Sequence, residues 1–204
     1  MAMTGRSSET WARAAIVAAA SLLLGAATFF AQGFLPDALK SFANSASGWT
    51  LVTVLLLTWI QVRAAVAALL GATIFVLLTV GYATAARLQD LFYDPTLFAL
   101  VGVLVGPFVG VATSWLRAVP SRRPAMGTAL LAGIGVGEAV FGLTSIADST
   151  SPVYWVLIGA AALALLVAML VRRIREALWK VLAVIGTCLT AGAFVVAYGL
   201  LGGV

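Results

Sequence analysis

One carboxylic acid, Glu138, lies inside a long apolar stretch of this 204-residue chain. The residues for about ten positions on either side are mainly apolar, and none of them is basic. An ionised carboxylate at the centre of a bilayer costs about 3 kcal/mol on insertion scales. Glu138 must therefore face the protein interior, find a partner or take up a proton, and such a residue is by default a candidate functional residue.

Three roles fit this position of Glu138. It could bind a cation or an amine, it could carry a coupled proton, or it could be a neutral acid hydrogen-bonded inside a helix bundle. The candidate partners for the third role are threonines, namely Thr28, Thr73, Thr113, Thr187 and Thr190. For the first two roles, the predicted substrate or proton site consists of Glu138, Gln32, Thr28 and Tyr82.

A second polar group, the predicted outer polar cluster, consists of Arg87, Asp90 and Asp94. Arg87 is three residues before Asp90, a spacing that favours a local ion pair on a helix. Asp94 followed by Pro95 is typical of the cap and first turn of a helix, and we favour this interpretation. Two acids could also chelate a divalent cation, as in membrane prenyl or terpene enzymes, but the richer aspartate motif of those enzymes is absent.

The composition is that of a polytopic membrane protein. Hydrophobic residues make up 63% of the chain and charged residues 9%, whereas a soluble domain has about 25% charged residues. The chain has no histidine, and Cys188 is its only cysteine, which disfavours a metal site and excludes an intrachain disulfide. We predict no metal, no cofactor and no nucleic-acid partner, and we favour a protein without enzymatic activity.

The apolar segments predict one all-α domain, residues 1–204, with seven transmembrane helices. A helix crosses the hydrocarbon core of about 30 Å with about 20 residues. The predicted spans are residues 11–34, 49–62, 64–86, 96–119, 125–147, 152–171 and 177–201. The second span is the shortest, and it could begin earlier, near Ala43.

Basic residues indicate the orientation. With the N-terminus in the cytoplasm, ten lysines and arginines lie inside, Arg6 among them, and only Lys40 and Arg87 lie outside. Trp11 and the other tryptophans then lie near span ends, as indole prefers. A six-helix chain that fuses spans two and three would put Arg117 outside, which disfavours it. We predict a bacterial inner-membrane protein with a cytoplasmic N-terminus and an outer C-terminus.

The fourth span carries a stripe of small residues that predicts close helix packing. The stripe consists of Gly102, Gly106, Gly110 and Ser114, each four positions apart. Small residues let helix backbones approach closely in lipid, so the stripe predicts internal packing, which we favour, or a dimer face. Pro107 in the same span predicts a kink.

Two weaker patterns concern the connector and the overall symmetry. In the connector, residues 35–48, the apolar residues Leu35, Leu39 and Phe42 predict an amphipathic helix on the membrane surface, either a connector or a lid. Spans one to three and five to seven could be parallel repeats, since the segment around Gly25 can be aligned with that around Gly137.

Three segments, Thr28–Asp37, Gly133–Phe141 and Ser151–Trp155, resemble those of a small actinobacterial family of integral membrane proteins. The likeness covers most of the chain, and since that family has no assigned activity, the resemblance implies location alone. The glycine-rich segment Gly102–Leu116 is similar to spans in the substrate-binding subunits of vitamin transporters, which usually have six helices.

The functional hypothesis is a small-solute permease, or the membrane subunit of a transporter. Its solute would occupy an outward cavity near spans one, four and five. The alternatives are a membrane-embedded enzyme that acts on lipid or isoprenoid, and a non-catalytic scaffold. The expected partners are the lipid bilayer, an unknown small solute, and either a membrane partner subunit or a second copy of the chain.

Overall fold

The chain is all-α throughout the part that the computed structural model describes, which is the backbone of residues 3–201 and the side chains of residues 12–200. Arg6 and Trp11 therefore lie outside the described side chains. The helices are α1 (Met3–Phe34), α2 (Ala46–Ile60), α3 (Ala64–Arg87), α4 (Thr96–Trp115), α5 (Arg122–Ser145), α6 (Pro152–Arg172) and α7 (Ala177–Leu201). A 3-10 helix, Asp37–Asn44, precedes α2.

Six of the described helices, α1 and α3 to α7, are long and apolar enough to cross a membrane. The 3-10 helix and α2 meet these criteria only together, as a pair bent by 65°, and they make a seventh span if the pair is counted as one. The prediction of an all-α, multi-pass membrane protein is confirmed at this level.

Helix α2 begins and ends within well-defined caps. Ser45 precedes it in an extended conformation, and its Oγ accepts a hydrogen bond from the backbone N–H of Gly48 (2.8 Å). Gln61 follows it in the left-handed region (φ 54°) and donates its backbone N–H to the carbonyl of Leu57. The 15 residues of α2 rise about 22 Å, which is shorter than a bilayer core of about 30 Å. Helix α2 begins three residues before the predicted span, residues 49–62, and ends two residues before the end of that span.

The connector differs from its prediction in conformation. Instead of an amphipathic α-helix, the chain forms the 3-10 helix after Pro36, and this helix is amphipathic, with Asp37 and Lys40 exposed. Its residue Ala43 is completely buried, and the ring of Phe42 contacts that of Tyr154 on α6. Because the connector is anchored in this way, it enters the bundle and delivers the start of α2 to its interior.

Glycines set the distance between α3 and α4. A Cβ atom at Gly106 would meet the carbonyl oxygen of Gly71 and Cα of Ala72, each at 2.7 Å. A Cβ atom at Gly110 would collide with the carbonyl of Ala67. The predicted small-residue stripe thus faces α3, and α4 continues through Pro107 as one helix.

Two helix pairs run parallel. On α1 and α3, Gly25 lies against Leu78 and, one turn further along both helices, Phe29 contacts Tyr82. On α5 and α7, Gly133 lies against Thr190 and, one turn further along both, Gly137 lies against Phe194. Each parallel pair joins the first and third helices of a predicted repeat. This shared pattern favours the parallel repeat.

Candidate functional site

The carboxylate of Glu138 binds the first turn of α2. Glu138 is 2% exposed and lies on α5, about 10 Å from the C-terminal end of that helix. Its Oε1 accepts a hydrogen bond from the backbone N–H of Ala46, and its Oε2 accepts one from that of Ser47, both at 2.7 Å. One acid thereby connects α5 to the start of the shortest α-helix.

This arrangement supplies acceptors that a helix start lacks. The first N–H groups of an α-helix have no partner within the helix. Glu138 accepts from two of them in α2, and Ser45 Oγ accepts from a third, that of Gly48. The positive end of the helix dipole also attracts an anion. A carboxylate, which accepts at both oxygens, matches these donors chemically.

The side chains predicted to bind a neutral Glu138 have other partners. Within their own helices, Thr28 donates to Gly25, Thr73 to Leu69, Thr113 to Val109 and Thr187 to Ala183, always to a backbone carbonyl. Thr190 packs against Gly133. A threonine in a helix easily reaches the carbonyl one turn earlier, so these hydroxyls are already bonded. The threonine hypothesis was wrong about the partners of Glu138.

Gln32 and Tyr82 come together, but at a different place. Gln32 Nε2 donates a hydrogen bond to the Tyr82 hydroxyl (2.9 Å), which joins the C-terminal halves of α1 and α3. The Tyr82 ring also contacts the rings of Trp49 and Tyr93. Among the described residues, no hydrogen bond joins Gln32, Tyr82 or Thr28 to Glu138. The predicted four-residue site is therefore divided.

Part of the predicted outer polar cluster is brought together, because the positive charge of Arg87 acts on the carboxylate of Asp94. Asp94 Oδ1 accepts hydrogen bonds from the backbone N–H (2.9 Å) and the hydroxyl (2.6 Å) of Thr96, the first residue of α4. These two bonds lower the pKa of Asp94. No ion pair joins Arg87 to Asp90 in the described part of the chain, and Asp90 has a positive φ of 55°.

An aromatic cavity of about 220 Å³ lies at the N-terminal end of α2, the end predicted to face outward. Its lining consists of Asn44, Ser45, Ala46, Trp49, Phe75, Tyr93, Phe98, Val101 and Tyr198. We call it the outer cavity. It reaches Ala46, the residue whose N–H binds Glu138, although Glu138 itself is not part of the lining. Burial raises the pKa of Tyr93 to about 12, so its hydroxyl stays protonated at neutral pH.

A second cavity, of about 200 Å³, lies at the opposite end of α2. We call it the inner cavity, and its lining consists of Leu57, Thr58, Gln61, Val62, Ala67, Thr113, Ser114 and Arg117. Arg117 donates a hydrogen bond from Nη2 to the carbonyl of Thr58 (3.2 Å), which ties α4 to the end of α2. Helices α2, α3 and α4 contribute to both cavities.

Several lining residues of the outer cavity were missed from the sequence. Trp49 was interpreted only as an interfacial anchor, and Phe98 and Tyr198 had no distinguishing pattern. The available signal was the density of aromatic residues at the outer ends of the spans. Such residues also occur at the headgroup level of ordinary membrane proteins, so the signal is not specific for a cavity.

The comparisons with known proteins give one match. A profile described as a family of unknown function (DUF6518) matches residues 4–203. No curated protein and no solved structure matches the chain. The match agrees with the resemblance to an uncharacterised family and gives no support for a relation to vitamin transporters.

Proposed function

Because the chain belongs to this family of unknown function (DUF6518), we propose its function from its own geometry, as a small-solute permease or the membrane subunit of a transporter. In this proposal the solute moves along the contact between α2, α3 and α4. Glu138 holds the outer end of α2 and is the proton site. The enzyme alternative has less support, because Asp94 is bonded to Thr96 at the start of α4.

We propose that the 3-10 helix and α2 together form one broken transmembrane span, which brings the number of spans to seven. Helices α1 and α3 are parallel neighbours, so the segment between them must return the chain across the membrane. The turns between spans support one orientation. Arg117 contacts the end of α2, and the backbone N–H of Arg175 donates to Ser121 Oγ (3.4 Å), which gathers the basic turns at one end. We propose that this end is cytoplasmic, in the inner membrane of a bacterium.

The observation that carries the proposal is the position of the two cavities. They lie at opposite ends of the same three-helix contact. On α2, Trp49 lines the outer cavity and Leu57 lines the inner cavity, and these two residues are about 12 Å apart along the helix. Thr53 lies between them, fully buried, and Gly71 of α3 and Gly106 of α4 pack closely at the same level. Only this short barrier has to open for a solute to pass from one cavity to the other, which is compatible with alternating access.

Broken helices near the midplane are a recurrent feature of transporters. Here the start of α2, just after the break, is held to α5 by the two bonds that Glu138 accepts. A proton on Glu138 would remove its charge and turn one of its oxygens into a donor group. The hold on Ala46 and Ser47 would weaken, and the first turn of α2 could leave α5. Tyr154 of α6 and Tyr198 of α7 face the same region, and both are phenols, which are neutral at physiological pH because the reference pKa of tyrosine is about 10.

Cysteine labelling tests whether the barrier opens. The background is Cys188→Ser, which removes the only native thiol. Thr53→Cys places a thiol in the barrier, and Ser21→Cys is the matched control. Both native side chains are fully buried, and each donates to the carbonyl four residues earlier in its helix. The reagent is a small, charged, membrane-impermeant methanethiosulfonate, added to each side of right-side-out and inverted vesicles.

We expect Thr53→Cys to react from either side at about 0.1–10% of the rate of the exposed Asn44→Cys, since minor conformations are commonly populated to that extent. Ser21→Cys should not react. Equal rates for Thr53→Cys and Ser21→Cys would contradict a transport route and favour the scaffold alternative.

The proton role of Glu138 has its own test in the same assay. Glu138→Gln has no charge at any pH, so labelling of Thr53→Cys should become faster, and its rate relative to that of Asn44→Cys should no longer depend on pH between about pH 5 and 8; the reference is needed because every thiol reacts as its thiolate. If Glu138→Gln keeps the pH dependence of the parent protein, another group carries the proton.

A further inference from the structure

An apolar groove opens on the side of the bundle between α2, α5 and α6. Its volume is about 250 Å³, and we call it the lateral groove. Ten of its twelve lining residues are apolar, and none carries a formal charge. The other two are Ser47 and Thr50, both buried, and the Oγ of Ser47 lies below the surface, out of reach of an occupant. The walls therefore suit a hydrocarbon rather than a polar molecule.

Small residues at the contact of α5 with α6 form the floor of the lateral groove. Gly135 of α5 lies so close to α6 that an added Cβ atom would come within 2.7 Å of the Ala162 Cβ. At the rim, Leu51 of α2 and Ala161 of α6 are exposed. The groove is thus open sideways, and because α5 and α6 are long and apolar enough to cross a membrane, this side faces lipid.

The lateral groove runs along the helices. On α2 its lining extends from Ser47 to Val54 and on α6 from Ile158 to Leu165, which is about 10 Å along each helix. Transmembrane helices lie close to the bilayer normal. A groove parallel to them therefore has the direction of a lipid acyl chain.

Arginines lie beyond one end of the lateral groove, on two of the helices that border it. The first two residues of α5 and the last two positions at the end of α6 are exposed arginines, namely Arg122, Arg123, Arg172 and Arg173. Along α6, Leu165 of the lining is about 10 Å from Arg172. An acyl chain in the groove would thus place its headgroup near these arginines.

The two turns that carry these arginines lie next to each other, because the backbone N–H of Arg175 donates to Ser121 Oγ (3.4 Å). Residues 116–123 and 172–176, which form the turns, contain six arginines and one acid, Glu176. Clusters of basic residues at the membrane surface attract anionic lipid headgroups. An apolar groove that leads to such a cluster matches both parts of an anionic phospholipid.

We propose that the lateral groove binds an acyl chain of an anionic phospholipid, whose phosphate lies at the arginines of α5 and α6. The site is next to the contact that holds α2, because Ser47 lines the groove and donates its backbone N–H to Glu138. The assignment does not depend on the transport route.

Photolabelling in nanodiscs of phosphatidylcholine tests the assignment. One probe is a trace of phosphatidylglycerol with a diazirine on one acyl chain, and the matched zwitterionic probe is phosphatidylcholine with the same diazirine. Adducts are mapped by mass spectrometry at Leu51 in the groove and at Leu104 of α4, which is 60% exposed and does not line the groove.

We expect the ratio of phosphatidylglycerol to phosphatidylcholine labelling to be at least about fivefold higher at Leu51 than at Leu104, since one arginine near the membrane surface contributes about this factor. The difference between the two positions should become smaller in high salt, which screens the arginines.

Two variants separate the groove from the charges. Ala161→Phe puts a ring into the groove from an exposed position and should remove the excess at Leu51. Ala160→Phe is the matched control, because Ala160 is exposed on the same helix and does not line the groove, and it should keep the excess. Arg172→Gln combined with Arg173→Gln should lower the ratio at Leu51 while the phosphatidylcholine probe still labels it.

Equal ratios at Leu51 and Leu104 in the parent protein would overturn the assignment, and so would an excess at Leu51 that survives Ala161→Phe. Labelling of Leu104 but not of Leu51 by both probes would contradict it as well, because the groove would then be covered by a second copy of the chain or by another protein. The labelling of Thr53→Cys tests the transport route separately, so either proposal can fail without the other.

Discussion

Replacing Glu138 by glutamine should loosen the first turn of α2 while the bundle stays folded. The carboxylate accepts two backbone hydrogen bonds at 2.7 Å, from Ala46 and from Ser47. Glutamine is almost the same size, but it offers only one carbonyl oxygen. Its amide group would point two further donors at an N–H group that needs an acceptor. One of the two bonds must therefore be lost.

The magnitude follows from three contributions. A hydrogen bond to a charged group is worth about 1.5–3 kcal/mol. The interaction of a carboxylate with a helix N-terminus adds up to about 2 kcal/mol in partly buried positions. Burial of the charge opposes both, and glutamine avoids that cost. We expect a net loss of about 2 kcal/mol at the start of α2, which is about a 30-fold change in an equilibrium constant.

Amide hydrogen exchange measures this loss locally. In nanodiscs at constant pH, peptides that contain Ala46 and Ser47 should exchange about 30-fold faster in Glu138→Gln, because exchange follows the population of the opened form. Peptides from the middle of α3 should not change. The control is Glu176→Gln, which removes the same charge from an exposed position in the turn before α7. Unchanged exchange at Ala46 and Ser47 would refute the reasoning that Glu138 holds α2.

Two further predictions concern packing and capping. Gly106→Ala should destabilise the fold by about 1–3 kcal/mol, because the added methyl group would overlap the backbone of α3. The control is Gly192→Ala, which should not destabilise the fold because a Cβ atom there meets open space. Thermal unfolding of the two variants measures the difference. Asp94→Ala should lower the melting temperature at neutral pH, and this difference should disappear in acid, where Asp94 is protonated in the folded state as well. Since the folded state lowers the pKa of Asp94, its stabilising effect is present above the unfolded pKa of about 3.9 and is lost as the pH falls through the folded pKa; Asp94→Asn, which keeps an acceptor, is the control.

The positions of most spans could be predicted because composition changes sharply at their ends. Helix α6 begins at Pro152 and α7 at Ala177, as predicted, since proline suits a first helical turn and charged residues precede the apolar stretch. Helix α4 ends at Trp115, four residues before the predicted Val119. Pro120 accounts for the exclusion of Val119 from the helix, because the residue before a proline avoids the helical conformation.

The candidate site was harder to predict. Glu138 stood out because a charge in an apolar stretch is visible in any composition profile. Its partners did not, because the donors are backbone N–H groups, which nearly every residue has. The outer cavity has the same difficulty. Trp49 and Tyr198 are far apart in the chain, and only the path of the broken span brings them together.

Two anomalies of the sequence are in fact one feature. The second span was too short, and the fifth contained an acid without a cation. In lipid, an acid without a cation needs hydrogen-bond donors, and the N–H groups inside a helix are already bonded. Free N–H groups occur at helix starts, so a helix must begin at the depth of the acid. Helix α2 does so, and its late start shortens it. By the same reasoning, loss of the Glu138 carboxylate and a shift of the α2 start should have equivalent effects. The first leaves the N–H groups of Ala46 and Ser47 without an acceptor, and the second leaves the carboxylate without donors.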